Sequence, residues 1–118
     1  MGRRPDGALE RDVLRVLWRA ERPLTPAEVR GQLDTDLAYT TVMTVLTRLN
    51  EKGLTVRTAR GRAFAYAPTV SESELVAKRM SAELSATKDR TGALAGFVGG
   101  LNRRDIAALR RVLDEGDA

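Results

Sequence analysis

The chain has 118 residues and a formal net charge of +4, and it contains neither cysteine nor histidine. That length fits one domain, or a small domain followed by an oligomerisation segment. Without cysteine there is no disulfide framework and no thiol chemistry; without histidine the commonest general base and transition-metal ligand are missing, so no metal or cofactor is expected.

No run approaches the roughly 18 apolar residues of a membrane span, and no charged-then-apolar leader opens the chain. Met1 to Gly7 is polar, with fraying expected. A soluble cytoplasmic protein without membrane insertion is the expectation. The charge is uneven: 12 Lys or Arg stand against 8 Asp or Glu through Val70, and 8 against 8 from Ser71 to Ala118. Within residues 48–70, Arg48, Lys52, Arg57, Arg60 and Arg62 face only Glu51. A basic patch localised in this way is what polyanion binding needs, although charge alone does not separate it from an ordinary solvated face.

Ala8 to Ala20 reads as a first helix, with Leu9, Val13, Val16, Leu17 and Ala20 on one face and Trp18 as a packing anchor. Arg11, Arg15 and Arg19 line its solvent side. Glu21-Arg22-Pro23-Leu24 breaks it. Thr25-Pro26-Ala27-Glu28 restarts a helix with an N-cap threonine, proline at the first helical position and a capping-box glutamate. Leu24 is placed to staple against Val29. This second helix runs to about Leu33, where Asp34-Thr35-Asp36 interrupts it.

The third helix spans 39–52. Val42, Val45, Leu46 and Leu49 recur at i, i+3, i+4 and i+7 and form one apolar stripe. Thr40, Thr44, Thr47 and Glu51 project oppositely, with Thr41 and Arg48 on one flank and Met43 on the other. A solvated helix face in so charged a chain would carry Lys and Glu pairs, not threonines, which are mediocre helix formers. Short hydroxyl and methyl groups let a helix approach a partner closely, and threonine can meet phosphates, base edges or a thymine methyl. Three helices in this order, the last facing outward, make a helix-turn-helix domain.

After Lys52-Gly53 the hydrophobic period falls from helical to alternating. Leu54, Val56 and Thr58 alternate along one strand and Phe64 and Tyr66 along another, with Arg60-Gly61 read as the turn between them. The result is a hairpin wing over 54–67, ended by Pro68. Ser71-Glu72-Ser73-Glu74 is a second capping box, opening a helix to about Thr87 with Val76, Met80 and Leu84 on one side. Lys88 to Gly92 reads as a turn. Leu94, Phe97, Val98 and Leu101 mark a glycine-weakened helix, and Asn102 caps a last one carrying Ile106, Leu109, Val112 and Leu113. Three helices in so short a segment are marginal alone, so either they fold back over the first domain or they pack against a second copy of the chain, and the second copy is the favoured expectation.

The predicted architecture is therefore mainly α with a small β-hairpin wing: a winged helix-turn-helix DNA-binding domain over 1–70 and a helical dimerisation domain over 71–118. Residues expected to meet DNA are Tyr39, Thr40, Thr41, Met43 and Thr44 near the start of the third helix, then Arg48, with Arg57, Arg60 and Arg62 supporting from the wing. Threonine and methionine suit an A·T-containing site better than a guanine-rich one. For Tyr39, ring packing in the core is an open alternative, as is plain solvation for the wing arginines. An enzyme is disfavoured, because the carboxylates are scattered and no phosphate loop follows a strand. The alternative function is a winged-helix protein–protein interaction module without specific DNA binding.

These residues also resemble a family. Leu9-Glu10, Val13-Leu14 and Leu17-Trp18, then Tyr39-Thr40-Thr41-Val42, Thr44 to Leu49, Lys52-Gly53, Gly61-Arg62 and Tyr66 look like the BlaI/MecI-type penicillinase and methicillin-resistance repressors, in order and over nearly the whole chain. The resemblance implies winged-helix transcriptional repressors that bind palindromic operators as homodimers. In that arrangement the third helix lies in the major groove and the wing near the backbone. The C-terminal helices would form the dimer interface, which here means Val76, Met80, Leu84, Leu94, Phe97, Val98, Leu101, Ile106, Leu109 and Leu113. In antibiotic-responsive members a membrane sensor-linked metalloprotease leads to cleavage at an Asn-Phe bond. The matching position here is Gly96-Phe97, where the phenylalanine is kept and the asparagine is not. Copper-responsive relatives use a C-terminal cysteine cluster, which this chain lacks.

Overall fold

A computed structural model describes residues 6–116; the polar opening noted at Met1 to Gly7 lies outside them as far as residue 5. Helices α1 (Asp6–Ala20), α2 (Pro26–Gln32) and α3 (Tyr39–Glu51) precede strands β1 (Thr55–Arg60) and β2 (Ala63–Pro68). Helices α4 (Glu72–Ser85), α5 (Arg90–Gly99) and α6 (Arg103–Gly116) follow. This is the expected mainly α chain with a hairpin, and it separates into two compact units, Met1–Val76 and Ala77–Ala118. Among the described residues no helix is long and apolar enough to cross a membrane.

The first unit is built around one core. Val13, Leu14, Val16 and Leu17 of α1 meet Leu24, Val29 of α2, the α3 stripe, Tyr66 of β2 and Leu75 of α4. Val42, Leu46 and Leu49 are fully buried and Val45 nearly so. Each such side chain contributes about 2 kcal/mol by leaving water. The helix starts follow local chemistry. At α2 the Thr25 hydroxyl accepts from the Glu28 N–H while the Glu28 carboxylate accepts from the Thr25 N–H, closing the expected box. Ser71 and Glu74 exchange the same pair of bonds before α4. Trp18 Nε1 donates to the Val70 carbonyl at 2.8 Å, so the tryptophan does anchor packing, by pinning the segment that leads into α4. Arg11 departs from the expected solvent row: it is half-buried on α1, unlike Arg15 and Arg19.

Just past the end of α1, Glu21 has a φ of +56°, in the left-handed region. An L-residue there costs about 1 kcal/mol that glycine avoids. Glu21→Gly is therefore expected to raise the thermal midpoint by about 4 °C or more in a calorimetric scan, and a fall would show that the side chain has a compensating contact.

In the second unit no residue from Ala77 to Gly116 is buried. Helix α5 begins earlier than the sequence pattern suggested, at Arg90 inside the expected Lys88 to Gly92 turn. The cause is Asp89, whose carboxylate accepts from the Gly92 N–H at 2.9 Å and caps the first turn. Asn102 caps α6 in the expected way, accepting from the Asp105 N–H at 2.8 Å.

Candidate nucleic-acid interface

With its valine and leucine stripe inside, α3 turns Thr40, Thr44, Thr47, Arg48 and Glu51 to solvent. Tyr39 is 46% exposed, which removes core packing as its role. Thr41 and Met43 are half-buried at the flanks and offer less of themselves than the sequence pattern implied. The Thr44 hydroxyl donates to the Thr40 carbonyl at 2.9 Å. Its proton is thereby committed, leaving lone pairs and the methyl group to face a partner. Ala38 stands at the N-cap with no side-chain bond to the first turn, so α3 begins with open N–H groups.

Both ends of α3 are held; the stop at Lys52-Gly53 is the one read from the sequence, while the side-chain ties of Arg30 and Lys52 were not legible there. At the start, Arg30 Nε donates to the Leu37 carbonyl at 2.7 Å and fixes the loop that feeds the helix. At the end, Lys52 takes the C-cap and Gly53 turns the chain with a φ of +77°. Lys52 Nζ lies 2.8 and 2.9 Å from the two carboxylate oxygens of Glu10, whose side chain is only 4% exposed. Lys52 thus belongs to a tie between α1 and α3 more than to the basic patch counted from the sequence. The pairing joins residues 42 apart, and no local pattern announces it.

The hairpin pairs Arg60 with Ala63, so its two-residue loop is Gly61-Arg62. This corrects the turn read as Arg60-Gly61. Gly61, the first central residue, has a φ of +63° while that of Arg62 is not positive, the pattern of a type II′ turn. The alternation read along the two strands leaves open which residues face inward, and burial decides it. Val56 is 52% and Phe64 44% exposed, and the buried wing residues are Thr55, Ala65 and Tyr66. At the outer edge of β2, Leu24 and Tyr66 exchange backbone hydrogen bonds of 2.9 and 2.7 Å.

Of the wing arginines, Arg57 lies over the Phe64 ring, its guanidinium carbon 4.4 Å from the centroid. Arg62 is exposed at the tip and forms no ion pair among the described residues. Arg60 Nη1 donates to Glu28 Oε1 at 2.9 Å, back toward α2. Glu28 has its carboxyl lowered to about 2, first by the Thr25 N–H; desolvation opposes this, and Arg22, the Thr25 hydroxyl and Arg60 add to it. The carboxylate therefore stays charged across any ordinary pH.

The residues expected to join two copies lie in α4, α5 and α6 and just beyond α5. Val76, Leu84, Leu101, Ile106 and Leu109 are half-buried, while Met80, Leu94, Phe97, Val98 and Leu113 are between 40 and 59% exposed. Gly96 and Phe97 both lie exposed within α5.

The sequence model of the penicillinase repressor family matches residues 7–115. Transcriptional regulator BlaI of Mycobacterium tuberculosis is 43% identical over 117 residues, covering 95% of this chain and 85% of the relative. Among solved structures, MepR from S. aureus matches with a TM-score of 0.52 and 19% identity over 91% of this chain and 74% of that one, a likeness of winged-helix fold alone. Bacillus licheniformis BlaI, solved on the blaP half-operator, gives a TM-score of 0.48 and 28% identity over 63% of this chain and 88% of that one. Matched by the family model over almost its full length, the chain belongs to the penicillinase repressor family of transcriptional regulators.

Proposed function

We propose that the chain represses transcription as a homodimer bound to a palindromic operator. In this reading the first unit binds DNA, with α3 in the major groove and the β1–β2 wing beside the backbone. The carrying observation is the solvent face of α3: threonines, with Arg48 on the flank, opposite a fully buried stripe on the same short helix. Thr40, Thr41, Met43 and Thr44 read bases, and Tyr39, Arg48, Arg57 and Arg62 meet phosphates. Because Thr44 offers a methyl group and lone pairs, contact with thymine suits it better than recognition of guanine. The open first turn of α3 favours a phosphate oxygen at that end. Occupancy of a promoter by the dimer excludes polymerase, and work on DNA places the protein in the cytoplasm. A membrane sensor-linked metalloprotease would release it only through a site other than an Asn-Phe bond, since Gly96 precedes Phe97.

The test is titration of the protein with a duplex taken from upstream of its own gene, over a range of salt. Sequence preference with a steep fall in affinity as salt rises supports the reading; a protein-contact module shows neither. Pairing of subunits rests on the uncovered apolar surface of the second unit, where Ile106, Leu109 and Leu113 share one face of α6. Leu109→Glu is expected to yield monomers in sedimentation and to weaken operator binding at least tenfold while leaving the DNA surface intact. An unchanged dimer with unchanged binding would refute this role.

A further inference from the structure

Glu28 gathers more partners than a capping residue requires. Its Oε1 accepts from the Thr25 N–H at 2.9 Å, the Thr25 hydroxyl at 3.1 Å and Arg60 Nη1 at 2.9 Å. Its Oε2 accepts from Arg22 Nη1 at 3.3 Å. One carboxylate thereby joins the turn after α1, the start of α2 and the end of β1 next to the wing tip. A two-stranded hairpin is marginal by itself, and this wing is tied at two points: the Leu24–Tyr66 backbone bridge near its base and the Arg60–Glu28 pair near its tip.

We infer that Glu28 is a positioning residue that reserves Arg60 as a strut of the wing and keeps it from acting as a phosphate contact. The inference rests on the DNA-binding reading above and deepens it. Three arginines crowd the hairpin, yet their circumstances differ. Arg57 is stacked on an aromatic ring that leaves its charge uncancelled, and Arg62 points from the tip. Among the described residues, Arg60 alone of these three has a carboxylate within hydrogen-bond distance. A phosphate drawn to Arg60 would sit close to that carboxylate, and like charges repel at such range. Glu28 cannot swing away cheaply, because its cap bonds to Thr25 and its pair with Arg22 hold it. The arrangement costs the protein a phosphate contact and gives the wing a fixed position relative to α2.

The experiment uses the full chain and a fluorescein-labelled random-sequence duplex, whose binding reports phosphate contacts without base recognition. The slope of log affinity against log salt is measured by anisotropy for the unaltered protein, Arg60→Met, Glu28→Gln and the double variant. Arg60→Met is expected to keep the unaltered slope. Glu28→Gln, which retains an oxygen for the Thr25 cap, is expected to steepen it by about one unit per protomer as Arg60 becomes available. The double variant should return to the original value. The inference is overturned if Arg60→Met alone makes the slope shallower by about one unit, if Glu28→Gln leaves it unchanged, or if the double variant stays steep, since the carboxylate would then act through its general field. Should Glu28→Gln fail to fold, Arg60→Met on the exposed wing decides the matter alone. Absence of binding by all four proteins overturns the DNA-binding reading itself, an outcome distinguishable from the others because the unaltered chain shares it.

Discussion

Leu46→Ala is expected to lower the stability of the first unit by about 3–4 kcal/mol, measured by urea unfolding with Trp18 fluorescence as the probe. Leu46 is fully buried among Val13, Leu14, Val42 and Leu49, so truncation leaves a cavity that several helices must close around. The helix it belongs to has little else to rely on. Tyr39 to Glu51 contains four threonines and two valines, all weaker helix formers than alanine, and its N-cap supplies no side-chain bond. Packing of the stripe is what makes α3 a helix. A unit of this size has only several kcal/mol in total, so the variant should be partly unfolded at physiological temperature and lose DNA binding with its fold. Thr47→Ala on the opposite face is the control, expected to gain a few tenths of a kcal/mol from better helix propensity. The account of α3 fails if Leu46→Ala costs less than about 1 kcal/mol while Thr47→Ala costs more.

What could be read in the sequence was what depends on near neighbours. The stripe from Val42 to Leu49, both capping boxes and the cap at Asn102 are all patterns of residues three or four apart, and each is present. Where the local signal was ambiguous, the placement slipped. Arg60-Gly61 and Gly61-Arg62 are both plausible hairpin loops, and only the register of β1 on β2 decides between them. On the wing, alternation shows that two strands are present but not which residues they bury: Val56 and Phe64 stay about half exposed while Tyr66 is buried. Long-range polar ties were not legible at all. Glu10 with Lys52, Glu28 with Arg60 and Trp18 with Val70 are separated by 42, 32 and 52 residues, and their meeting is a consequence of the packed core. This changes the candidate site more than the fold. A basic stretch that composition treats as uniform resolves into charges with different tasks: Lys52 and Arg60 tie elements together, and Arg57 and Arg62 face outward.

The second large effect is expected at one of those ties. Lys52→Met should cost about 2–4 kcal/mol, because it strips the cation from a carboxylate that has almost no access to water. Glu10 directs both oxygens at Lys52 Nζ, and an uncompensated charge in that position is paid for by the whole unit. The lysine itself is 56% exposed, which lets water approach the pair and places the expected loss toward the lower end of that range. Replacing both partners separates the interaction from the penalty. Glu10→Leu combined with Lys52→Met removes the charge together with its partner, and should recover most of the stability lost by Lys52→Met alone. DNA affinity then tells whether the tie does more than stabilise. It fastens the C-terminal end of α3 to α1, so the double variant, folded but unfastened, is expected to bind an operator more weakly than the unaltered chain while its salt slope stays the same. Equal affinity would confine the pair to stability. A Lys52→Met protein within about 0.5 kcal/mol of the original would show that Glu10 is satisfied without it.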